Sequence, residues 1–543
     1  MSEFNHWTEK NKGLNTSQTP LQTSLSQTAE NLPEKIAITY DNQKFTYYEI
    51  DQFSNRFAGA LTNLGVKKGD RIALFLQNNP QFVIAYFGAL KAGAVVTAIN
   101  PLHREREVKH QLCDSGAQTI VVLDTIYPII EKIIDQTALK NIIVTDIDIY
   151  STTTTTTPIN IETFLKVSSF KDLIKKNNAH NNQKALSFNS EEDLAVLQYT
   201  GGTTGMPKGV MLTHANLVSN TKAFASCLKS TSEDVFLSAL PFFHVYGMTT
   251  SMLTPISLGA TMVLLPKFNP IKSLQAIKQH QVTVFCGSPT MYTMLLASTE
   301  FEKHDLSALS SIRVCISGAS SLPHQIQKQF LHAGVFLVEG YGLTEASPVT
   351  HCTPADTPME AIKVGSIGTP LLGTEAQIVD LETGQKRVLQ VGERGELAVR
   401  GPQVMRGYWQ RPKETAQVLC EGWLLTGDIA YMDAEGYFYI VDRKKNLIKH
   451  KDYSIYPREL EEILYEHPAV KLCAIVGKPD TISGQSPKAF VVLKEGRDKI
   501  TSKEVLLEFV NSKVAPYKNI KEIEICQKLP INSSGKILKH TLN

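Results

Sequence analysis

Between Arg71 and Leu123 short β-branched runs alternate with longer stretches of helical period. Arg71 to Phe75, Val95 to Ile99 and Thr119 to Leu123 read as strands, and Gln81 to Ala92 and Glu105 to Ser115 as helices. Strand, helix, strand in that order predicts βαβ units and hence a parallel sheet with helices on its faces. The rhythm returns in the strand Thr261 to Leu265, the helix Ile271 to His280, the strands Thr283 to Cys286 and Ile312 to Ile316, and the helix Pro323 to Ala333. Two parallel-sheet units are therefore expected. Past Gly365 the texture changes to short alternating strands, Glu375 to Val379, Gly395 to Arg400 and Tyr437 to Val441, separated by Gly, Asp and Pro. That pattern predicts an antiparallel β region. A charged run from Asp442 to Asn446 follows, and beyond it lies a Lys- and Glu-rich mixture of strands and helices. The expected fold class is α/β: a large N-terminal domain over 20–442 with two βαβ subdomains and a β-rich one, a hinge at 443–446, and a small mobile α+β domain over 447–543.

Charge removes several function classes. The 55 Lys and Arg nearly cancel the 53 Asp and Glu, leaving +2, whereas general binding to nucleic acid rests on a net basic field. No nucleic-acid partner is expected, and at most peripheral membrane contact. The most apolar stretch, Phe82 to Ile99, is broken by Gly88, Lys91 and Gly93, so it does not read as a membrane span. Eight scattered cysteines without a C-x-x-C pair, and a polar start from Met1 to Gln18 without an apolar core, suit a reducing cytoplasm. The hydroxyl tract Ser151 to Thr157 reads as a loop without assigned function.

The chemistry concentrates first in Tyr199-Thr200-Gly201-Gly202-Thr203-Thr204-Gly205-Met206-Pro207-Lys208-Gly209-Val210. Glycines let backbone N–H groups approach a phosphate, hydroxyls donate to it, and Lys208 adds charge. Strand-like Leu194 to Tyr199 and Val210 to Leu212 on either side predict a hairpin-like loop rather than a linker. A Walker A loop is excluded, because Met206 and Pro207 separate Gly205 from Lys208 and Gly209 stands where the metal-binding hydroxyl belongs.

With this loop come Pro241-Phe242-Phe243-His244-Val245-Tyr246-Gly247, Gly340-Tyr341-Gly342-Leu343-Thr344-Glu345, Trp423-Leu424-Leu425-Thr426-Gly427-Asp428, Asp442-Arg443-Lys444-Lys445 and Ser534-Gly535-Lys536. In that order they resemble the motifs of the adenylate-forming superfamily: acyl-CoA synthetases, luciferases and peptide-synthetase adenylation domains. The resemblance covers nearly the whole chain.

The resemblance implies ATP, Mg²⁺ and coenzyme A as cofactor and co-substrates. Thr200, Gly202, Thr203, Thr204, Gly205 and Lys208 would wrap phosphate. Tyr341 offers an aromatic face to the purine, with Gly342, Gly318 and Ala319 as the nucleotide wall. Thr344 brings a hydroxyl to phosphate, and Glu345, with Thr200, supplies hard oxygens to Mg²⁺. Asp428 and Arg443 match the ribose contacts, Lys445 the hinge, and Lys449 a position brought to the site in a second conformation. Lys536, by sequence one lysine on a basic tail, matches the group that stands between the acyl carboxylate and the α-phosphate. With Glu345, Thr344 and His244 it completes the catalytic candidates.

These parts imply activation of a carboxylate as acyl-AMP, followed by thiol attack to give a thioester. His244 follows Phe243 where amino-acid-activating relatives carry an Asp, so no anchor for a substrate ammonium is visible. Val245, Tyr246, Met248, Met252 and Gly287 to Tyr292 suit an aliphatic chain. The expectation is a fatty acid–CoA ligase with fatty acid and CoA as partners, the homodimer being an open possibility. Open alternatives are a fatty acyl-AMP ligase that loads a carrier protein, or a CoA ligase for another apolar carboxylate. Asp452, where the family usually has glycine before the aromatic Tyr453, keeps the acceptor open.

Overall fold

The computed structural model describes residues 19–146, 166–177, 186–200, 206–298, 309–380, 387–451, 453–480, 483–494, 496–497, 501–532 and 535–542. The Ser151 to Thr157 tract, Gly201 to Gly205 with its Gly202, Thr203 and Thr204, Asp452 and Ser534 lie outside the described residues.

Arg71–Phe75 stands inside an eight-stranded sheet, parallel to Val95–Ala98 on one side and to Thr119–Leu123 on the other. Its residues from Ile72 to Phe75 are buried, as parallel strands covered on both faces require. The helix Glu105–Ser115 that leads into the next strand ends at Gly116, whose φ of 65° makes the left-handed cap that glycine favours. Leu194–Thr200 joins this sheet parallel to Val95–Ala98 and then pairs antiparallel with Lys208–Thr213. The expected hairpin is present, with Thr200 opposite Lys208.

A second, seven-stranded sheet carries Leu337–Glu339, Val314–Ser317, Val284–Gly287, Val235–Ser238 and Thr261–Leu264 in that order. Two of these strands run on to Gly287 and Ser317, past the Cys286 and Ile316 expected from sequence, because Gly287 and Ser317 pair with each other. Ile36–Tyr40 adds to the same sheet, with Ile38 beside Met262. The chain thus starts in the second sheet, builds the first, and returns to finish the second.

One hydrophobic core joins the two sheets. Ile38 and Met262 from one sheet and Ile72 and Val96 from the other share it with Phe57, Phe82 and Phe87. Its helices are well specified locally. Tyr47–Asn63 starts at a capping box of Thr46 and Glu49, and Pro80–Lys91 at an Asn79 cap with proline in the first turn. Every residue of the second helix except Lys91 is buried, which accounts for its apolar surround. Among the described residues no helix is long and apolar enough to cross a membrane.

Beyond these layers lies an antiparallel five-stranded sheet that includes Glu375–Val379, Gly395–Arg400, Trp423–Met432 and Phe438–Arg443. A 3₁₀ turn, Lys444–Asn446, leads from its last strand into Ile448–His450 of the final sheet. That sheet is mixed: Val470–Asp480 and Gly484–Leu493 pair antiparallel, and Glu522–Ile525 adds parallel. The helices Pro457–Glu466 and Lys503–Asn511 share its core.

Gly88 lets the two long helices touch, since a Cβ there would lie 2.7 Å from Phe57 Cδ1 and 2.9 Å from the Ser54 carbonyl oxygen. Gly59, one helix over, has nothing within 4 Å of such a Cβ. Gly88→Ala should lower the melting temperature through an overpacking cost of about 1–3 kcal/mol. Gly59→Ala should raise it, by up to about 1 kcal/mol of helix propensity. Thermal unfolding of both variants beside the wild type checks the pair, and a stabilised Gly88→Ala would mean that the helices are free to part.

Candidate active site

The site is organised around one buried carboxylate. Trp423–Met432 pairs with Phe438–Arg443 in a register that sets Asp428 opposite Arg443. Asp428, only 5% exposed, has Oδ1 at 3.1 Å from Arg443 Nε. Its Oδ2 accepts a 2.6 Å hydrogen bond from the Tyr341 hydroxyl. The charge of Asp428 raises the Arg443 guanidinium further, while burial and that same charge push the Tyr341 phenol well above its ordinary range. Gly427, with φ of 73°, makes the turn that aims Asp428 inward and donates its N–H to Glu396 Oε1 at 3.0 Å.

Tyr341 reaches this carboxylate from the edge of a small sheet. The Gly342 that follows it cannot carry a side chain, because a Cβ would lie 2.1 Å from the Pro348 carbonyl oxygen. Gly318 has a comparable reason: a Cβ there would meet the Tyr246 ring at 2.9 Å. Both glycines are therefore explained by packing whether or not a nucleotide comes near. Ala319 takes φ of 72°, which turns the chain sharply off the end of Val314–Ser317. Val245, Tyr246, Met248 and Met252 are buried core residues, and the Tyr246 hydroxyl donates to the Ile316 carbonyl at 3.0 Å.

A second group gathers around Glu345, in the 3₁₀ turn Thr344–Ala346. The Tyr408 hydroxyl donates to Glu345 Oε1 at 2.7 Å, and the Glu345 carbonyl accepts from Met405 N–H at 2.8 Å. Lys208 lies over the ring of the same tyrosine, 5.1 Å from its centre, and pairs with Glu414. Tyr408 thus stands between Lys208, expected to reach phosphate, and Glu345, expected to hold metal. A cavity of about 230 Å³ opens here, lined by Glu345, Tyr408, Glu396, Thr426, Gly427 and Lys444. Among the described residues no three His, Cys, Asp or Glu side chains form a metal cage of their own. The Glu345 carboxylate, which has one oxygen on Tyr408, and a hydroxyl such as that of Thr200 suit Mg²⁺, which keeps most of its waters and takes few protein oxygens.

Lys536 arrives from the far end of the chain on a short hairpin. Ile531 bridges Ile537, Asn532 N–H donates to the Lys536 carbonyl at 2.9 Å, and Lys536 N–H donates to Asn532 Oδ1 at 2.9 Å. The tip, Gly535, turns at φ of 86° and accepts a 2.8 Å bond from Thr290 Oγ1 across 245 residues of sequence. A Cβ on Gly535 would strike Ser288 Oγ at 2.4 Å, so the hairpin seats on glycine alone. Burial first, then the charge of Arg443, push the Lys536 ammonium down to about 8. His244 senses the same lysine: burial and the Lys536 charge push its imidazole down to about 4. It caps the turn Val245–Met248 by accepting Tyr246 N–H at Nδ1, 3.2 Å away. That bond leaves the proton of the neutral ring on Nε2.

The structure therefore brings together Tyr341, Asp428, Arg443, Lys445, Lys536 and His244, and beside them Glu345, Thr344, Thr200 and Lys208. Lys445 lies near enough to Arg443 and Asp428 to feel their charges, its ammonium lowered chiefly by burial. Lys449 lies on Ile448–His450 of the final sheet, exposed, with Nζ 3.3 Å from Ser454 Oγ and its N–H on Gln485. Sequence reasoning missed Tyr408, Glu396 and Glu414, which lie in no motif that it used. It also missed the seat of the hairpin, for which no local signal exists. Ser288 Oγ and Ser317 Oγ are buried without hydrogen-bond partners among the described residues. Both lie at the carboxyl ends of neighbouring parallel strands, the edge where such sheets bind ligands.

Known proteins share this fold. The AMP-binding enzyme model matches residues 25–409, and the AMP-binding enzyme C-terminal domain model matches 459–536. A long-chain-fatty-acid–CoA ligase of Bacillus subtilis (strain 168) is 43% identical over 96% of this chain and 94% of its own. A protein of the same name from Escherichia coli O157:H7 is 38% identical, over 92% and 89%. The ATP-bound crystal structure of MatB from Rhodopseudomonas palustris superposes with a TM-score of 0.84 at 26% identity, covering 96% of this chain and 98% of that one. The apo structure of the same protein, with the same coverage and 27% identity, reaches 0.76. With both family models in chain order and relatives matched over nearly their full length, the chain belongs to the AMP-binding enzyme family.

Proposed function

We propose that this protein activates a fatty acid with ATP, forming acyl-AMP and pyrophosphate, and then transfers the acyl group to the thiol of coenzyme A with release of AMP. The observation that carries this reading is the docking of Lys536, through Gly535, on Ser288 and Thr290 beside Asp428 and Arg443. A carboxylate and a triphosphate repel each other. A buried ammonium between them, with Arg443 and Lys445 behind it, offsets that repulsion and stabilises charge developing at the α-phosphate.

The remaining residues have matching tasks. Asp428 spends one oxygen on Tyr341 and the other on Arg443, but a carboxylate has about four acceptor sites, so it can take ribose hydroxyls as well. Tyr341, fixed by that bond, presents its ring to the adenine. Neutral His244 carries its proton on Nε2 and can donate to a substrate oxygen. Lys208 reaches phosphate by leaving Glu414, and Thr200 opposite it adds a hydroxyl. Glu345 and Thr200 would hold Mg²⁺, which when bound offsets phosphate charge. The chain's overall match to an ATP-bound relative, closer than to the apo form of that relative, supports reading this pose as the adenylating one. Thioester formation then follows a turn of the 447–543 domain about Lys445 that brings Lys449 towards the site. A fatty acid as substrate is supported by the named relatives and by the buried apolar flank from Val245 to Met252. The cytoplasm, as its place, is supported by eight cysteines that are all free thiols.

Pyrophosphate release with graded fatty acids, measured with and without CoA, tests the reaction. Lys536→Ala should slow acyl-AMP formation on the order of 10² or more, yet leave thioester formation from preformed acyl-AMP within about threefold of wild type. A normal rate of pyrophosphate release would remove Lys536 from the chemistry. The useful form of Lys536 is the charged one, so activity is retained below its free-enzyme value of about 8 and declines as the pH rises through it. The decline should appear in kcat/KM, shift to higher pH in kcat because bound anions favour the ammonium, and vanish from this range in Lys536→Arg. A flat pH profile between about 7 and 9 would contradict it. Glu345→Gln should raise the magnesium concentration needed for half-maximal rate, and an unchanged magnesium titration would make Glu345 a structural partner of Tyr408.

A further inference from the structure

The hairpin that carries Lys536 is held at two ends. Its tip touches the large domain through Thr290 and Gly535. Its base is held in the small domain, where Leu538 N–H returns to the Pro530 carbonyl at 2.9 Å and the 3₁₀ turn Lys539–Thr541 follows. Ile537 and Leu542 pack there against Phe490, Val492 and Leu529. Lys539 Nζ lies 2.6 Å from Glu461 Oε1, on the helix Pro457–Glu466. The same oxygen accepts Ile475 N–H at 2.6 Å, so one carboxylate joins helix, sheet and hairpin.

This pair differs from its neighbours. In the other Lys–Glu pairs of this sheet and its helices the carboxylate keeps 38–59% of its side chain exposed, against 13% for Glu461, whose partner Lys539 keeps 24%. Exposed pairs contribute little, whereas breaking a desolvated pair leaves an unmatched charge inside the protein. Asp442 adds its charge to the same group, favouring the Lys539 ammonium. Its Oδ2 accepts Arg458 N–H at 2.9 Å and its Oδ1 accepts Arg443 N–H at 2.7 Å. Glu461 and Asp442 therefore link the base of the hairpin to the helix and to the hinge strand, only three residues from Lys536.

We infer that Lys539 is a positioning residue for acyl-AMP formation: its partly buried ion pair with Glu461 holds the Lys536 hairpin at the height and angle that the reaction needs. The inference rests on the assignment of Lys536 above. Without the pair the hairpin keeps its two apolar anchors and its contact with Thr290, but its base is free to slide. A displacement of about 1 Å costs up to 10²-fold in rate.

The test compares Lys539→Met, Lys539→Arg, Lys536→Ala and the Lys536→Ala/Lys539→Met double variant in both half-reactions. Lys539→Met should slow pyrophosphate release about ten- to a hundredfold, while the KM for ATP and thioester formation from preformed acyl-AMP stay within about threefold. Lys539→Arg, which can still pair with Glu461, should return to within about threefold of wild type. The double variant should be no slower than Lys536→Ala, because the two residues act through one group. Glu461→Gln/Lys539→Met removes both charges, so it tests positioning even if Lys539→Met unfolds the small domain. Its melting curve should match that of wild type while pyrophosphate release stays slow. Adenylation at the wild-type rate in that folded variant, or an equal loss in both half-reactions of Lys539→Met, would overturn the inference with Lys536 untouched. A wild-type rate for Lys536→Ala would remove the assignment of Lys536 and this inference together.

Discussion

A single carboxylate, that of Asp428, holds the candidate site together. Buried at the end of an antiparallel pair, it accepts the Tyr341 hydroxyl from one subdomain and faces Arg443 at the threshold of the next. A buried charge is costly unless paired and hydrogen-bonded, so its two partners are fixed as firmly as it is. It also governs Lys536. Burial, Arg443, Lys445 and Lys539 all disfavour the ammonium, and Asp428 is the anion that opposes them.

Around that carboxylate the charges are interleaved. Arg443, Lys445 and Lys536 lie near enough to feel Asp428, and Glu345 and Glu396 line the cavity beside Tyr408 together with Lys444, which pairs with Glu396 at 3.2 Å. Tyr408 links Glu345 to the hairpin of Leu194–Thr200 and Lys208–Thr213 through its hydroxyl on Glu345 and its ring beneath Lys208. The rest of the fold serves to bring these groups to one edge. Two parallel sheets share a core, and the strands Val284–Gly287 and Val314–Ser317 end together to form the floor on which the hairpin rests.

Much of this fold is legible in the sequence, because its signals are local. The strand Thr119–Leu123 and the helix Glu105–Ser115 fall where their period puts them, and the Leu194 to Leu212 stretch forms the hairpin expected of it. What is not legible depends on contacts distant in sequence. Nothing near Ile38 says that it will lie beside Met262, and nothing near Gly535 names Ser288. Of the site, the types of residue stand out once the motifs are read together, but their partners do not. Tyr408 binds Glu345 across the fold. Glycines at 318 and 342 look like ligand contacts from sequence, yet Tyr246 and Pro348 occupy the space a side chain would need.

The central claim is that the pose with Lys536 seated at Ser288 is the one in which acyl-AMP is made, and that the enzyme must leave it to make the thioester. A Cβ on Gly535 would lie 2.4 Å from Ser288 Oγ and 3.1 Å from Ser288 Cβ, too close for the hairpin to seat. The most direct measurement is therefore rapid-quench analysis of both half-reactions in Gly535→Ala beside the wild type. The account predicts that acyl-AMP and pyrophosphate formation fall on the order of 10²-fold, while thioester formation from added acyl-AMP stays within about threefold of wild type. Acyl-AMP formation at the wild-type rate, or an equal loss in both half-reactions, would contradict it.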